Sequence, residues 1–151
     1  MSGYPGGYAV LLAVALCTHA LVGYTLGELL FGAPRAGAVG GVLADVDLLF
    51  PAAWPDPFVH RGITHTALAA GVATAVAAAH ARRTAGAVGT GYTAQLLVDA
   101  TTAKGVPLLY PLVSAHVGVE LGSHSGPATA ALWIACLGLL WHRRLRSRRT
   151  T

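Results

Sequence analysis

Long runs of Ala, Val, Leu and Gly dominate this chain, and five apolar segments can be drawn, at about Tyr8 to Phe31, Ala36 to Phe50, Thr64 to Ala81, Ala85 to Thr102 and Pro127 to Trp141. The breaks between them are legible. Gly32-Ala33-Pro34 ends the first helix, and the stretch from Pro51 to Pro57, with Pro55 between, forbids helix after the second. Arg82 and Arg83 are expected to close the third. Gly105-Val106-Pro107 through Gly126 reads as an irregular or partly re-entrant stretch interrupted by Pro111, Gly118 and Gly122. The pattern predicts an all-α polytopic transmembrane helix bundle of about five spans with Pro/Gly-rich outer loops. Several segments are shorter than the roughly 20 residues of an ideal span. Recurrent Gly and Ala in the second, third and fourth suit close helix approach in a tight bundle.

Composition points the same way. Of 151 residues, 54% are hydrophobic and 11% charged, where a soluble domain carries roughly a quarter charged. With a mean hydropathy of +0.59, too little polar surface is left to cover a soluble core, and the bilayer must supply the apolar solvent. The expected organisation is one membrane domain over 1–142 and a basic cytoplasmic tail over 143–151. The pI near 9.5 does not imply nucleic acid, because five of the ten basic residues are Arg143, Arg144, Arg146, Arg148 and Arg149, a topology signal at the end of an apolar helix. Cys17 and Cys136 lie in apolar runs and are expected to be packing residues. Met1 to Gly7 carries no Lys or Arg, so it lacks the basic region of a secretory signal and the first helix is expected to be retained.

A cytoplasmic C-terminus with five alternating spans puts Arg35, Arg82, Arg83 and the five tail arginines inside, and leaves only Arg61 and Lys104 outside. The chain is thus expected to be a multi-pass protein of the cell membrane. Trp54 and Tyr110 fall at the outer interface and Trp141 at the inner one.

This orientation gathers the chemically active residues. Asp45, Asp47, His60, His65 and Asp99 lie in or beside apolar segments, where ionisable groups are costly and mark function; all fall toward the outer end. Asp45 and Asp99 share a depth on the order of 5–8 Å below the boundary. Carboxylate oxygen and neutral imidazole nitrogen form the ligand set of zinc, manganese or iron, and a cation offsets acids buried in apolar surroundings. Asp45 and Asp47, at i,i+2, point to different faces of a regular α-helix, so either the helix unwinds there or one aspartate is a ligand and the other supports it. Thr64 is the expected N-cap of the third helix, with His60 on the loop and His65 in the first turn. Gln95 and Asp99, at i,i+4, share a face. His19 is expected a turn or two deeper.

Blander readings stand beside these. His80, His116, His124 and His142 read as core or interfacial residues, Asp56 and Glu120 as solvated loop charges, and Glu28 as reaching Arg35 or the inner interface. Arg61 is either an interfacial anchor or a clamp for an anionic substrate. The Asp/His cluster itself could be a structural polar network.

Leu43-Ala44-Asp45-Val46-Asp47, His60-Arg61-Gly62-Ile63-Thr64-His65-Thr66 and Asp99-Ala100-Thr101-Thr102-Ala103-Lys104-Gly105-Val106-Pro107 resemble the YdjM-like family of membrane-bound metal-dependent hydrolases, which shows Thr-His, Pro-Asp-x-Asp, His-Arg-Gly-x-Thr-His-Ser and His-x-x-x-Asp in this order. The resemblance runs from Thr18 to Pro111. It implies metal-site positions at His19, Asp45, Asp47, His60, His65, Gln95 and Asp99, and candidate catalytic roles for Asp47, Arg61 and Thr64. Ala44 replaces the family's Pro and Gln95 its His. A more distant likeness to zinc-dependent phospholipase C and P1-type nucleases implies phosphoester hydrolysis of a lipid or lipid-linked substrate with one or two divalent ions, zinc foremost. The competing readings are a transporter relaying protons or ions, and a scaffold whose site has decayed at Gln95.

Overall fold

The computed structural model describes residues 7–51, 53–122 and 125–149; Met1 to Gly6, Ala52 and His124 lie outside the described residues. Helix α1 (Gly7–Leu26) runs on through a π-helical turn, Gly27–Phe31. It stops at Gly32, whose φ of 54° is left-handed and whose N–H returns to the Glu28 carbonyl at 3.1 Å, a conformation glycine adopts without steric cost. Pro34 then opens α2 (Pro34–Leu43) at a position where no N–H is needed. The chain tightens into a 3₁₀ helix over Ala44–Leu49, and Phe50, ahead of Pro51, is extended with ψ 145°. A short 3₁₀ turn, Ile63–His65, leads into α3 (Ala67–Ala78), followed by α4 (Arg82–Ala100) and α5 (Gly126–Arg149). Among the described residues there is no strand; an isolated antiparallel bridge, Val106 to Val117, holds the excursion after α4 together.

Three expectations change. The N-cap of α3 is Thr66, not Thr64: its Oγ1 accepts from Ala69 N at 3.0 Å, because Ile63–His65 forms its own turn first. Arg82 and Arg83 open α4 instead of closing the third helix, which ends at Ala78. The fifth helix continues well past Trp141, carrying the terminal arginines to Arg149, since arginine is a good helix former.

The segment Gly7–Phe31, 25 residues with hydropathy 1.9, is long and apolar enough to cross a membrane; α3, at 12 residues, is a shorter apolar helix. Val72, Val76, Leu97 and Ile134 are all more than half exposed, an outward apolar dressing that suits lipid better than water.

Helix α2 lies between α1 and α4, α3 packs on α4, and α5 packs on α1. Backbone contact replaces side-chain packing on both sides of α2. A Cβ on Gly37 would stand 2.2 Å from the Gly23 oxygen, and one on Gly91 would stand 2.2 Å from the Gly37 oxygen. Gly91→Ala must therefore separate α4 from α2, and a cost of about 1–3 kcal/mol is expected, measured as a lowered melting temperature in detergent. Gly71→Ala, where a Cβ meets nothing within 4 Å, should leave stability equal or slightly raised.

Candidate metal centre

The 3₁₀ geometry of Ala44–Leu49 explains how Asp45 and Asp47 both turn inward. At i,i+2 they would stand about 160° apart on an α-helix, but only about 120° apart at three residues per turn. Both are buried, while Val46 between them is 41% exposed. Of the two sequence alternatives, the helix leaves α-geometry here.

Around Asp45 the contacts come from α1 and α4. Its Oδ2 lies 3.0 Å from His19 Nδ1 and accepts from Gln95 Nε2 at 2.5 Å. Gln95 is itself fixed, its Oε1 accepting from Ala44 N at 3.1 Å. His19 is at the level of the aspartates and not deeper, because α1 and α2 meet through glycine backbones. The neighbouring Thr18 ties α1 to α5, its Oγ1 accepting from Trp133 Nε1 at 2.9 Å.

Asp47 gathers the loop before α3. Its Oδ1 lies 2.9 Å from His60 Nδ1, and its Oδ2 accepts from Arg61 N at 2.9 Å and Thr64 Oγ1 at 2.7 Å, with His65 Nδ1 at 3.1 Å. Wrapping one carboxylate this closely requires a sharp bend. Arg61 takes a φ of 63°, rare for a non-glycine residue, and a Cβ on Gly62 would sit 2.0 Å from the Pro57 oxygen. Lys104 Nζ donates to the His60 carbonyl at 2.8 Å; burial and the nearby Arg61 charge draw its ammonium down from the ordinary lysine value.

The Arg61 guanidinium is not directed outward. Nη2 donates to Asp99 Oδ1 and Nη1 to Thr102 Oγ1, each at 2.5 Å. Thr64, beyond its bond to Asp47, has its carbonyl held by Tyr92 Oη at 2.5 Å.

Between these anchored groups, four side chains turn ligand atoms toward one another. His65 Nε2 stands 3.3 Å from Asp99 Oδ2 and 3.6 Å from Asp45 Oδ1, and His19 Nε2 stands 3.8 Å from Asp99 Oδ1. His65 and Asp99 are 0% and 1% exposed, yet neither His65 Nε2 nor Asp99 Oδ2 makes a well-formed hydrogen bond, and they meet each other only as an ion pair. Unsatisfied buried polar atoms are rare and costly. Ligand atoms of a four-coordinate zinc site, with bonds of about 2.0–2.1 Å, stand about 3.3 Å apart, so the donor set and its spacing suit a small divalent ion. Two groups, His19/Asp45/Asp99 and Asp45/His60/His65, each offer ligand atoms within 4.8 Å of one another.

The geometry thus brings His19, Asp45, Asp47, His60, Arg61, Thr64, His65, Gln95 and Asp99 into one cluster. The oxygens of Asp47 turn to the 60–65 loop, and the amide of Gln95 turns to Asp45 and Ala44. Glu28 is elsewhere: it pairs with Arg143 at 2.9 Å and not with Arg35. Sequence reasoning missed Tyr92 and Thr102. Tyr92 carried a signal, since Tyr92, Gln95, Leu96 and Asp99 follow the i, i+3, i+4, i+7 spacing of one buried face.

No curated protein matches the chain, and no solved structure does. The model of one protein family, the YdjM inner membrane protein, matches residues 12–150. By that match, over nearly its whole length, the chain belongs to the YdjM inner membrane protein family and is a membrane protein.

Proposed function

We propose that this chain is a multi-pass membrane hydrolase whose His19, Asp45, His65 and Asp99 hold a divalent cation, zinc foremost with manganese or iron as the other candidates, with His60 beside them for a second ion. The observation that carries this reading is the pair His65 Nε2 and Asp99 Oδ2, buried, 3.3 Å apart and with no well-formed hydrogen bond to any group, their ion-pair contact with each other included. Charge supports it. Of the buried carboxylates Asp45, Asp47 and Asp99, only Asp99 pairs with a guanidinium, that of Arg61, while Asp45 and Asp47 have imidazole partners; with those imidazoles neutral, a cation compensates the remaining charge.

A bound ion of this kind supplies a Lewis acid and an activated water, the chemistry of phosphoester hydrolysis. The chain's own residues do the positioning. Asp47 fixes the orientation and tautomer of His65 through Nδ1, leaving Nε2 as the ligand nitrogen. Gln95 orients Asp45, and Arg61 orients Asp99. A substrate at this depth, below a membrane surface, is a lipid or lipid-linked phosphoester; the bilayer is the partner that delivers it.

A transporter needs polar groups through the full depth. Between the cluster and Glu28 the α1–α2–α4 core is instead glycine backbone at Gly23, Gly37, Gly41 and Gly91, which disfavours that reading. The decayed-scaffold reading rests on Gln95. Gln95→Ala releases Asp45 and is expected to weaken zinc binding about 10–100-fold, measured by competition with a chromophoric chelator. If Gln95→His instead turns a metal-free protein into a metal-loaded one, decay is the correct reading. Activity is tested with the purified, metal-loaded protein on phospholipid and polyprenyl-phosphate substrates in mixed micelles.

A further inference from the structure

A second site lies well away from the metal centre. Glu28 is nine residues along the first helix from His19, about 13 Å at 1.5 Å per residue. There, between the first helix and α5, is a cavity of about 610 Å³ whose lining includes Tyr24, Glu28, Leu137, Trp141, Arg144 and Ser147.

The two arginines at this cavity do different work. Arg143 is a brace: Nε pairs with Glu28 Oε1 at 2.9 Å and Nη1 donates to the Leu29 carbonyl at 3.0 Å, inside the π-helical turn. Glu28 is thereby neutralised. Arg144, the next residue, has no side-chain partner among the described residues, and Ser147, one turn on along the same face, donates from Oγ to the Arg144 carbonyl at 2.9 Å. The uncompensated charge in the cavity is therefore positive. The rest of the lining, Leu137 and the rings of Tyr24 and Trp141, is apolar or amphipathic, and Trp141 is 66% exposed on the outside of the bundle. A cavity basic at one end and apolar at the other, on the flank of a membrane protein, has the character of a phospholipid and not of a free anion.

We propose that this cavity binds one anionic phospholipid, its phosphate on Arg144 and its acyl chain along Leu137. The site is independent of the hydrolase reading, because it shares no residue with the metal centre.

Native mass spectrometry of the full-length protein in mild detergent, titrated with phosphatidylglycerol or phosphatidylcholine, tests this. One phosphatidylglycerol per chain should be retained, preferred over phosphatidylcholine on the order of tenfold. Arg144→Glu should abolish the preference, while Arg146→Glu, the same charge reversal at a residue outside the cavity, should preserve it. Equal loss in both variants would show diffuse surface charge and overturn the proposal. So would an unchanged preference in Arg144→Glu, equal retention of the two lipids by the wild type, or displacement of the lipid by equimolar inorganic phosphate.

Discussion

His65→Gln is expected to strip the protein of divalent metal and reduce hydrolysis to background while leaving the helices in place. The imidazole offers Nε2 to the centre, 3.3 Å from Asp99 and 3.6 Å from Asp45, and glutamine is a poor ligand in its place. With a ligand lost, the carboxylates of Asp45 and Asp99 would lack the cation proposed to reconcile them. Gln rather than Ala is the informative change, since His65 is fully buried and truncation would add a cavity. Elemental analysis and circular dichroism on one preparation separate loss of metal from loss of fold. A His65→Gln protein that keeps stoichiometric metal would exclude His65 as a ligand.

Asp47→Asn is expected to be nearly as severe by a different route. The carboxylate takes its contacts from His60, Arg61, Thr64 and His65, so an amide, which replaces one acceptor oxygen with a donor group, either opposes one of the donors on Oδ2 or forces His60 to accept through Nδ1, and in both cases removes the charge that holds the loop. Breaking a buried charged network by altering one partner costs about 3–5 kcal/mol, and Asp47 is 3% exposed. The loop over 60–65, already bent through the positive φ of Arg61, should lose its anchor. Metal affinity should fall about 10–100-fold through the misoriented His65, and hydrogen exchange should rise across His60 to His65. Weak but stoichiometric loading at high zinc distinguishes this variant from His65→Gln. If Asp47→Asn removes metal without raising exchange in that loop, Asp47 is itself a ligand.

Much of the cluster was legible because the cost of burying charge leaves few explanations for Asp45, Asp99 and His65 in apolar helices. The i,i+2 spacing of Asp45 and Asp47 also announced that regular helix could not hold there, and a 3₁₀ segment is found. What the sequence hid is of two kinds. Helix ends shifted by a few residues, as at Thr66 and Arg82, because either of two threonines could cap α3 and arginine serves equally at an end or a start. Partner choice was the deeper gap. Arg61 looked able to meet an anionic substrate, but its guanidinium is spent on Asp99 and Thr102, and Glu28 pairs with Arg143, 115 positions away. Such pairings depend on how the helices cross, which the glycine contacts of Gly23, Gly37 and Gly91 decide and which no local pattern encodes.

The decisive measurement is the metal content of the protein purified without chelator, by plasma mass spectrometry, beside an Asp99→Asn variant prepared identically. One or more zinc, manganese or iron ions per wild-type chain, and none in the variant, is the expected result. A folded wild-type protein that is free of metal and takes up none of these ions on titration would contradict it, and would leave the His/Asp cluster as a buried polar network in a membrane bundle.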